Sequence, residues 1–108
     1  MDYKDNILVG ELFDIYSNLL TKKQKEVFVD YYFNNLSLSE IAENNNISRQ
    51  AVDFTLKNVI KALNVYEDSL GVRKKNNAVI ESLISLKTDV NNVGFDEKIN
   101  NIISKIKE

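Results

Sequence analysis

The sequence contains no cysteine, no histidine and no proline, and only three of its 108 residues are glycine. Without cysteine or histidine, the chain has no disulfides, no thiolate or imidazole catalysis and none of the usual zinc ligand sets. The glycines form no G-x-G or GK[ST] pattern, so no phosphate-binding loop is expected. We therefore expect a binding or regulatory domain and not an enzyme. We also expect no metal and no cofactor.

Long apolar runs are also missing, since charged residues interrupt every apolar stretch after a few positions. A membrane-spanning helix needs 18 or more such residues, so no membrane insertion is expected. Near the N-terminus, Asp2 and Asp5 flank Lys4 where a signal peptide would carry basic residues followed by an apolar run. The expected location is cytoplasmic.

Aliphatic residues and phenylalanine are abundant, because Leu, Ile, Val and Phe together account for 37 of the 108 residues. That share is sufficient for a folded core, and the lack of proline removes the strongest helix breaker. We predict an all-α fold, with a helix-turn-helix bundle at residues 1–72 and a C-terminal helical extension at 73–108. The extension would pack on the bundle or on a partner subunit.

Apolar spacing and capping residues predict six helices. The first begins at Ile7 and ends near residues 17–18. The second runs from a Thr21 cap, with Gln24 at capping-box spacing, to about Phe33. The third starts after Ser37, whose capping box uses Glu40, and ends in the Asn44–Asn46 run. The fourth extends over residues 49–70, the fifth over about 77–87, and the last begins at about 95–96.

Residues 37–56 have the layout of a helix-turn-helix: a short helix, a tight turn and a second helix. Small or aliphatic residues occupy the contact positions between the helices, and an asparagine stands where the turn needs a left-handed backbone. The predicted structural residues are Ile41, Ala42, Asn46, Ile47 and Val52. Thr55 is polar where such motifs bury an aliphatic residue, and Leu56 can replace it. Two capped helices in an ordinary bundle would share most of these features.

The surrounding motifs make the pattern more specific: LTKKQ at 20–24, DYY at 30–32, SLSEIA at 37–42 and ISRQAV at 47–52. Over residues 5–75 the chain closely resembles the YlxM family of small bacterial helix-turn-helix proteins, which in turn resemble region four of sigma factors. The resemblance implies a sigma-factor-like fold without a wing and a regulatory role. It also implies a connection to components of the signal recognition particle pathway.

Helix geometry predicts which side chains could reach DNA if Val52 and Leu56 face inward. Arg49 and Gln50 in the first turn would read guanine and adenine, while Lys57 and Lys61 would contact phosphates. The predicted nucleic-acid-binding residues are Arg49, Gln50, Asp53, Phe54, Lys57, Lys61, Lys22, Lys23 and Lys25. Ion pairing along the row formed by Arg49, Asp53 and Lys57 would explain the same charges without DNA.

The charge balance leaves a second function open, since 14 basic residues stand against 16 acidic ones and the formal net charge is −2. DNA-binding domains are commonly basic. The alternative is a protein-interaction or ribonucleoprotein-associated module that keeps the fold without sequence-specific DNA binding. Apolar residues in the tail, including Ile99, Ile102, Ile103 and Ile106, must either fold back on the same chain or dimerise. We predict a homodimer through the tail and the fourth helix beyond Leu63.

Overall fold

A computed structural model describes residues 7–108, and residues 1–6 of the predicted domain 1–72 lie outside that range. The described residues are helical throughout apart from short connections, which confirms the all-α prediction. A single 3-10 turn, Ser17–Leu19, follows the first helix. The α-helices are α1 (Ile7–Tyr16), α2 (Lys22–Tyr32), α3 (Leu38–Asn45), α4 (Arg49–Leu70), α5 (Val72–Asp89) and α6 (Val93–Lys107).

The chain divides into two compact units. The first unit ends at Leu70, and the second comprises Gly71–Glu108. Gly71 separates them in a left-handed conformation with φ of 61°, which glycine adopts without steric cost. The predicted domain boundary lies two residues further along, between 72 and 73.

The core of the first unit forms around α4, which packs against α1, α2 and α3. Its inward face carries one apolar side chain per turn, at spacings of four, three and four. Each of the four is at most 1% exposed: Val52, Leu56, Val59 and Leu63. Burying a side chain of this size stabilises a fold by about 1.5–3 kcal/mol. This stripe therefore fixes which face of α4 remains in contact with water.

Local hydrogen bonds explain where the helices of the first unit begin. The Thr21 hydroxyl accepts from the Gln24 N–H at 3.1 Å, and the Gln24 side chain accepts from the Thr21 N–H at 3.0 Å. Ser37 and Glu40 make the same reciprocal pair at the start of α3, at 3.1 Å each way. Both predicted capping boxes are confirmed.

Aromatic rings join α1 to α2. Phe13 stacks on Phe28 with ring centroids 4.4 Å apart, and Phe28 stacks on Tyr32 at 5.2 Å. A Cβ added at Gly10 would lie 2.6 Å from the Tyr32 hydroxyl, so glycine permits this close approach. Tyr32 is only half-buried, as is its neighbour Tyr31.

The second unit is a helical hairpin in which α5 packs against α6. The predicted start of α5 near Asn77 was wrong, because the helix begins at Val72, directly after Gly71. No residue from 72 to 76 breaks a helix, so the helix includes the polar turn that precedes its apolar positions. The start of α6 also differs: Asn92 is the N-cap, and its side chain accepts from the Phe95 N–H at 3.0 Å.

Only one side chain of the hairpin is buried, that of Ile99, at 4% exposure. Ile103 and Ile106 are half-buried, and Ile102 is exposed. The other exposed large apolar side chains of the hairpin are Val79, Ile84, Leu86, Val90 and Val93. Within residues 7–108, none of the helices combines the length and the apolar character that crossing a membrane requires.

Candidate nucleic-acid interface

The turn between α3 and α4 is held by a backbone hydrogen-bond pattern typical of helix C-termini. The Ile47 N–H donates to the Ala42 carbonyl at 3.1 Å, and the Asn46 N–H donates to the Glu43 carbonyl at 3.3 Å. This pattern, the Schellman motif, requires the first of the two donor residues along the chain to be left-handed. Asn46 has φ of 54° and ψ of 42°, as that position demands.

Alpha-helix α4 starts directly after the turn, where the Ser48 hydroxyl accepts from the Ala51 N–H at 3.0 Å. Three residues therefore separate α3 from α4. A turn this short, with its first residue fixed at Asn46 and its last at the Ser48 cap, sets the angle at which α4 leaves α3. The first turn of α4 is thereby presented at the surface of the unit.

The packing between the two helices uses three of the five predicted structural residues. Ile41 and Val52 are fully buried, and Ala42 is 7% exposed. The prediction that Ile47 fills the space between the helices needs correction, because its side chain is 37% exposed. Ile47 lies in the surface turn, directly after the left-handed Asn46. Its side chain therefore covers the space between α3 and α4 from the outside, and only in part.

Thr55 adapts to its position through a hydrogen bond. Its hydroxyl donates to the Ala51 carbonyl at 3.0 Å, within the same helix. The neighbouring Leu56 is 1% exposed and occupies the apolar position instead. The hydroxyl of Thr55 is therefore hydrogen-bonded, although the residue stands where such motifs bury an aliphatic side chain.

The outward face of α4 carries four of the nine residues that the sequence predicted for nucleic-acid contact. Gln50, Phe54, Lys57 and Lys61 lie opposite the buried stripe and are exposed. Arg49 is also exposed, at the edge beside α3, whereas Asp53 is half-buried. Residues four apart rise about 6 Å along a helix, so this face spans several base pairs of a major groove.

One ion pair of the predicted intrahelical row is present. Lys57 Nζ lies 2.7 Å from Asp53 Oδ2, and both side chains are partly exposed to water. A pair of this kind stabilises a helix by about 0.3–0.5 kcal/mol. Its larger effect is on charge, since the carboxylate neutralises a lysine that faces outward.

A shallow cleft of about 350 Å³ lies beside the first turn of α4. Leu38 of α3 forms one wall, and Arg49, Gln50 and Asp53 form the rest. Both predicted base-reading side chains, Arg49 and Gln50, therefore share one concave surface with the Asp53 carboxylate. Leu38 is half-buried at this position.

The basic first turn of α2 adjoins the helix-turn-helix. The Lys23 ammonium donates to the side-chain carbonyl of Asn45, the last residue of α3. Asn45 is itself held by its side-chain amide, which donates to the Ile41 carbonyl at 2.7 Å. Sequence reasoning missed Asn45, since an asparagine near a helix end gives no sign of a tertiary contact.

The other two lysines of this turn differ in their surroundings. Lys22 is 91% exposed and lies 3.9 Å from Glu26, a separation that leaves little net attraction in water. Lys25 is half-buried. Of the three cations predicted for this turn, Lys23 is therefore the one fixed beside the α3–α4 turn.

Comparison with known proteins places nearly the whole chain in a family of helix-turn-helix proteins. A family model described as "Putative helix-turn-helix protein, YlxM / p13 like" matches residues 4–105. A UPF0122 protein of Fusobacterium nucleatum is 40% identical over 95 residues, covering 88% of this chain and 92% of the relative. One from Clostridium botulinum is 37% identical over 108 residues, covering 92% and 99%. One from Malacoplasma penetrans is 52% identical over 62 residues, covering 57% and 58%.

Proposed function

Because the chain belongs to the UPF0122 family of YlxM-like helix-turn-helix proteins, we propose that it binds double-stranded DNA and regulates transcription. The first turns of α4 enter the major groove, as the second helix of such motifs does. The observation that carries this proposal is the composition of the α4 outward face. It brings an amide and two lysines together opposite a fully buried apolar stripe, with an arginine at the edge of that face.

The side chains divide into two kinds by their place on α4. Arg49 and Gln50 stand in the first turn, where a recognition helix reaches deepest. The arginine can donate two hydrogen bonds to guanine, and the glutamine can donate one to adenine and accept one from it. Lys57 and Lys61 lie further along and contact phosphates, together with Lys23 beside the turn. Phosphate contacts give affinity, and base contacts give sequence preference.

A homodimer accompanies this function. Exposed apolar side chains lie on one side of α5 at Val79 and Leu86, seven positions apart, and Val90 follows directly after the helix ends. This spacing is typical of helices that pack against a partner helix. Dimeric helix-turn-helix proteins commonly read two half-sites about 34 Å apart, one turn of DNA. This role requires a cytoplasmic location.

A protein or ribonucleoprotein partner is the second candidate function, with signal recognition particle components as the partner that the family resemblance implies. The charge of the first 70 residues favours it, since they contain seven basic and eleven acidic residues. Such a surface repels nucleic acid except at the α4 face. Binding of such a partner through apolar side chains would be insensitive to salt.

Salt dependence separates the two. The full chain is allowed to select duplexes from a random DNA library, and affinity is then measured from 50 to 200 mM salt. The three phosphate contacts per chain, from Lys23, Lys57 and Lys61, predict a slope of log K against log salt of about −2.7. Failure to enrich any duplex, together with salt-independent capture of a protein, would favour the second function.

A further inference from the structure

Phe54 is a large aromatic side chain held in water. It is 67% exposed, in the second turn of α4, on the side opposite the buried stripe. The apolar positions of α4 that serve the core are all at most 1% exposed. Phe54 therefore contributes nothing to the core of its unit, and its ring is available to a partner.

The neighbours of Phe54 on that face are polar or cationic. Gln50 lies one turn before it, and Lys57 and Lys61 lie about one and two turns after it, all of them exposed. A protein-docking surface would be expected to group several apolar side chains around an aromatic anchor. Here one ring stands among an amide and two ammonium groups. The ammonium groups suit the phosphates that line a DNA groove, and the ring and the amide suit the base edges within it.

The major groove offers such a ring one apolar group. Among the four base edges only thymine presents a methyl group there, on C5, and apolar side chains including phenylalanine contact it. Gln50 and Phe54 are separated by about 6 Å along the helix, which is close to two base-pair steps of about 3.4 Å.

Resting on the DNA-binding function proposed above, we infer that Phe54 is a specificity-determining residue that reads thymine through its 5-methyl group. The target then contains a thymine within about two base pairs of the adenine that Gln50 contacts. Uracil has no such methyl group, and the deep, narrow major groove of an RNA duplex does not admit side chains. The same residue therefore favours DNA over RNA.

Deoxyuridine provides the test, because it differs from thymidine only in lacking the methyl group. A duplex selected by the full chain from a random library is prepared with each thymine replaced singly. One methyl group removed from an apolar contact predicts about fourfold weaker binding at one thymine. Phe54→Ala should bind the thymine and deoxyuridine duplexes equally and should melt at the same temperature as the unaltered chain.

Val65→Ala is the matched control, since Val65 is an exposed apolar residue on the same face, eleven positions further along α4. It should keep the fourfold preference. Equal binding of all singly replaced duplexes by the unaltered chain would overturn the thymine assignment while leaving DNA binding intact. An undiminished thymine preference in Phe54→Ala would do the same. If no duplex is preferred over random DNA, both the proposed function and this inference fail.

Discussion

Asp53 and Lys57 form an ion pair of 2.7 Å on the exposed face of α4, one turn beyond the arginine and glutamine that begin the helix. The pair places a carboxylate among the groups that would meet DNA. A negative charge there repels phosphates and reduces the charge that Lys57 offers. Under the proposed function, this acidic group would limit indiscriminate binding to DNA.

Removing that carboxylate should strengthen binding to all sequences. Asp53→Asn is expected to raise affinity for random duplex DNA about threefold to tenfold, through loss of repulsion and release of Lys57. Stability should change by less than about 0.5 kcal/mol, because the lost pair is partly exposed. Titration of a labelled random duplex gives the affinities. Asp68→Asn, at an exposed position near the end of α4, is the control and should leave them unchanged.

Charges introduced between α3 and α4 should unfold the first unit. Ala42→Glu and Val52→Asp each bury a carboxylate without a partner, at a cost of several kcal/mol. Thermal melting followed by circular dichroism measures the loss. Ser39→Glu, one turn earlier on the exposed side of α3, should melt normally. A normal melt for both buried variants would show that the two helices do not pack as described.

The left-handed residue of the turn has its own test. Asn46→Gly should be close to neutral, whereas Asn46→Ala should cost about 1 kcal/mol, because a Cβ with no compensating amide is strained at φ of 54°. A difference of several degrees between the two melting temperatures is expected. Equal melting temperatures would mean that the turn does not need this backbone conformation.

Charge placed on the exposed stripe of α5 should separate the dimer. The unaltered chain is expected to sediment at micromolar concentration with twice the 12.4 kDa chain mass. Leu86→Lys should give the single-chain mass without unfolding, since Leu86 is 44% exposed. The neighbouring Ser85→Lys, also exposed, should remain dimeric. A single-chain mass for the unaltered chain would contradict dimerisation.

The sequence predicted the elements that depend on local chemistry. Thr21 and Ser37 carry their partners within three residues, so both capping boxes could be identified without knowledge of the tertiary fold. The four-three-four spacing likewise identified the inward face of α4, and with it the outward residues. These are the parts of the candidate site that could be derived in advance.

What could not be derived depends on contacts between distant residues. The exposure of Ile47 is set by how far α3 and α4 close over the turn, which spacing does not reveal. The bond from Lys23 to Asn45 joins residues 22 positions apart. The start of α5 was missed for a different reason. Its first turns are polar, so they lack the periodic apolar residues by which the helix was recognised.

Substitutions at the first turn of α4 test the central claim most directly. Affinity for the selected duplex and for random DNA is measured with Arg49→Ala, Gln50→Ala and Lys57→Ala. The first two should lose about 1–3 kcal/mol on the selected duplex with little change on random DNA, while Lys57→Ala should weaken both alike. Equal affinity of the unaltered chain for selected and random duplexes, or unchanged preference in both first-turn variants, would contradict DNA recognition by α4.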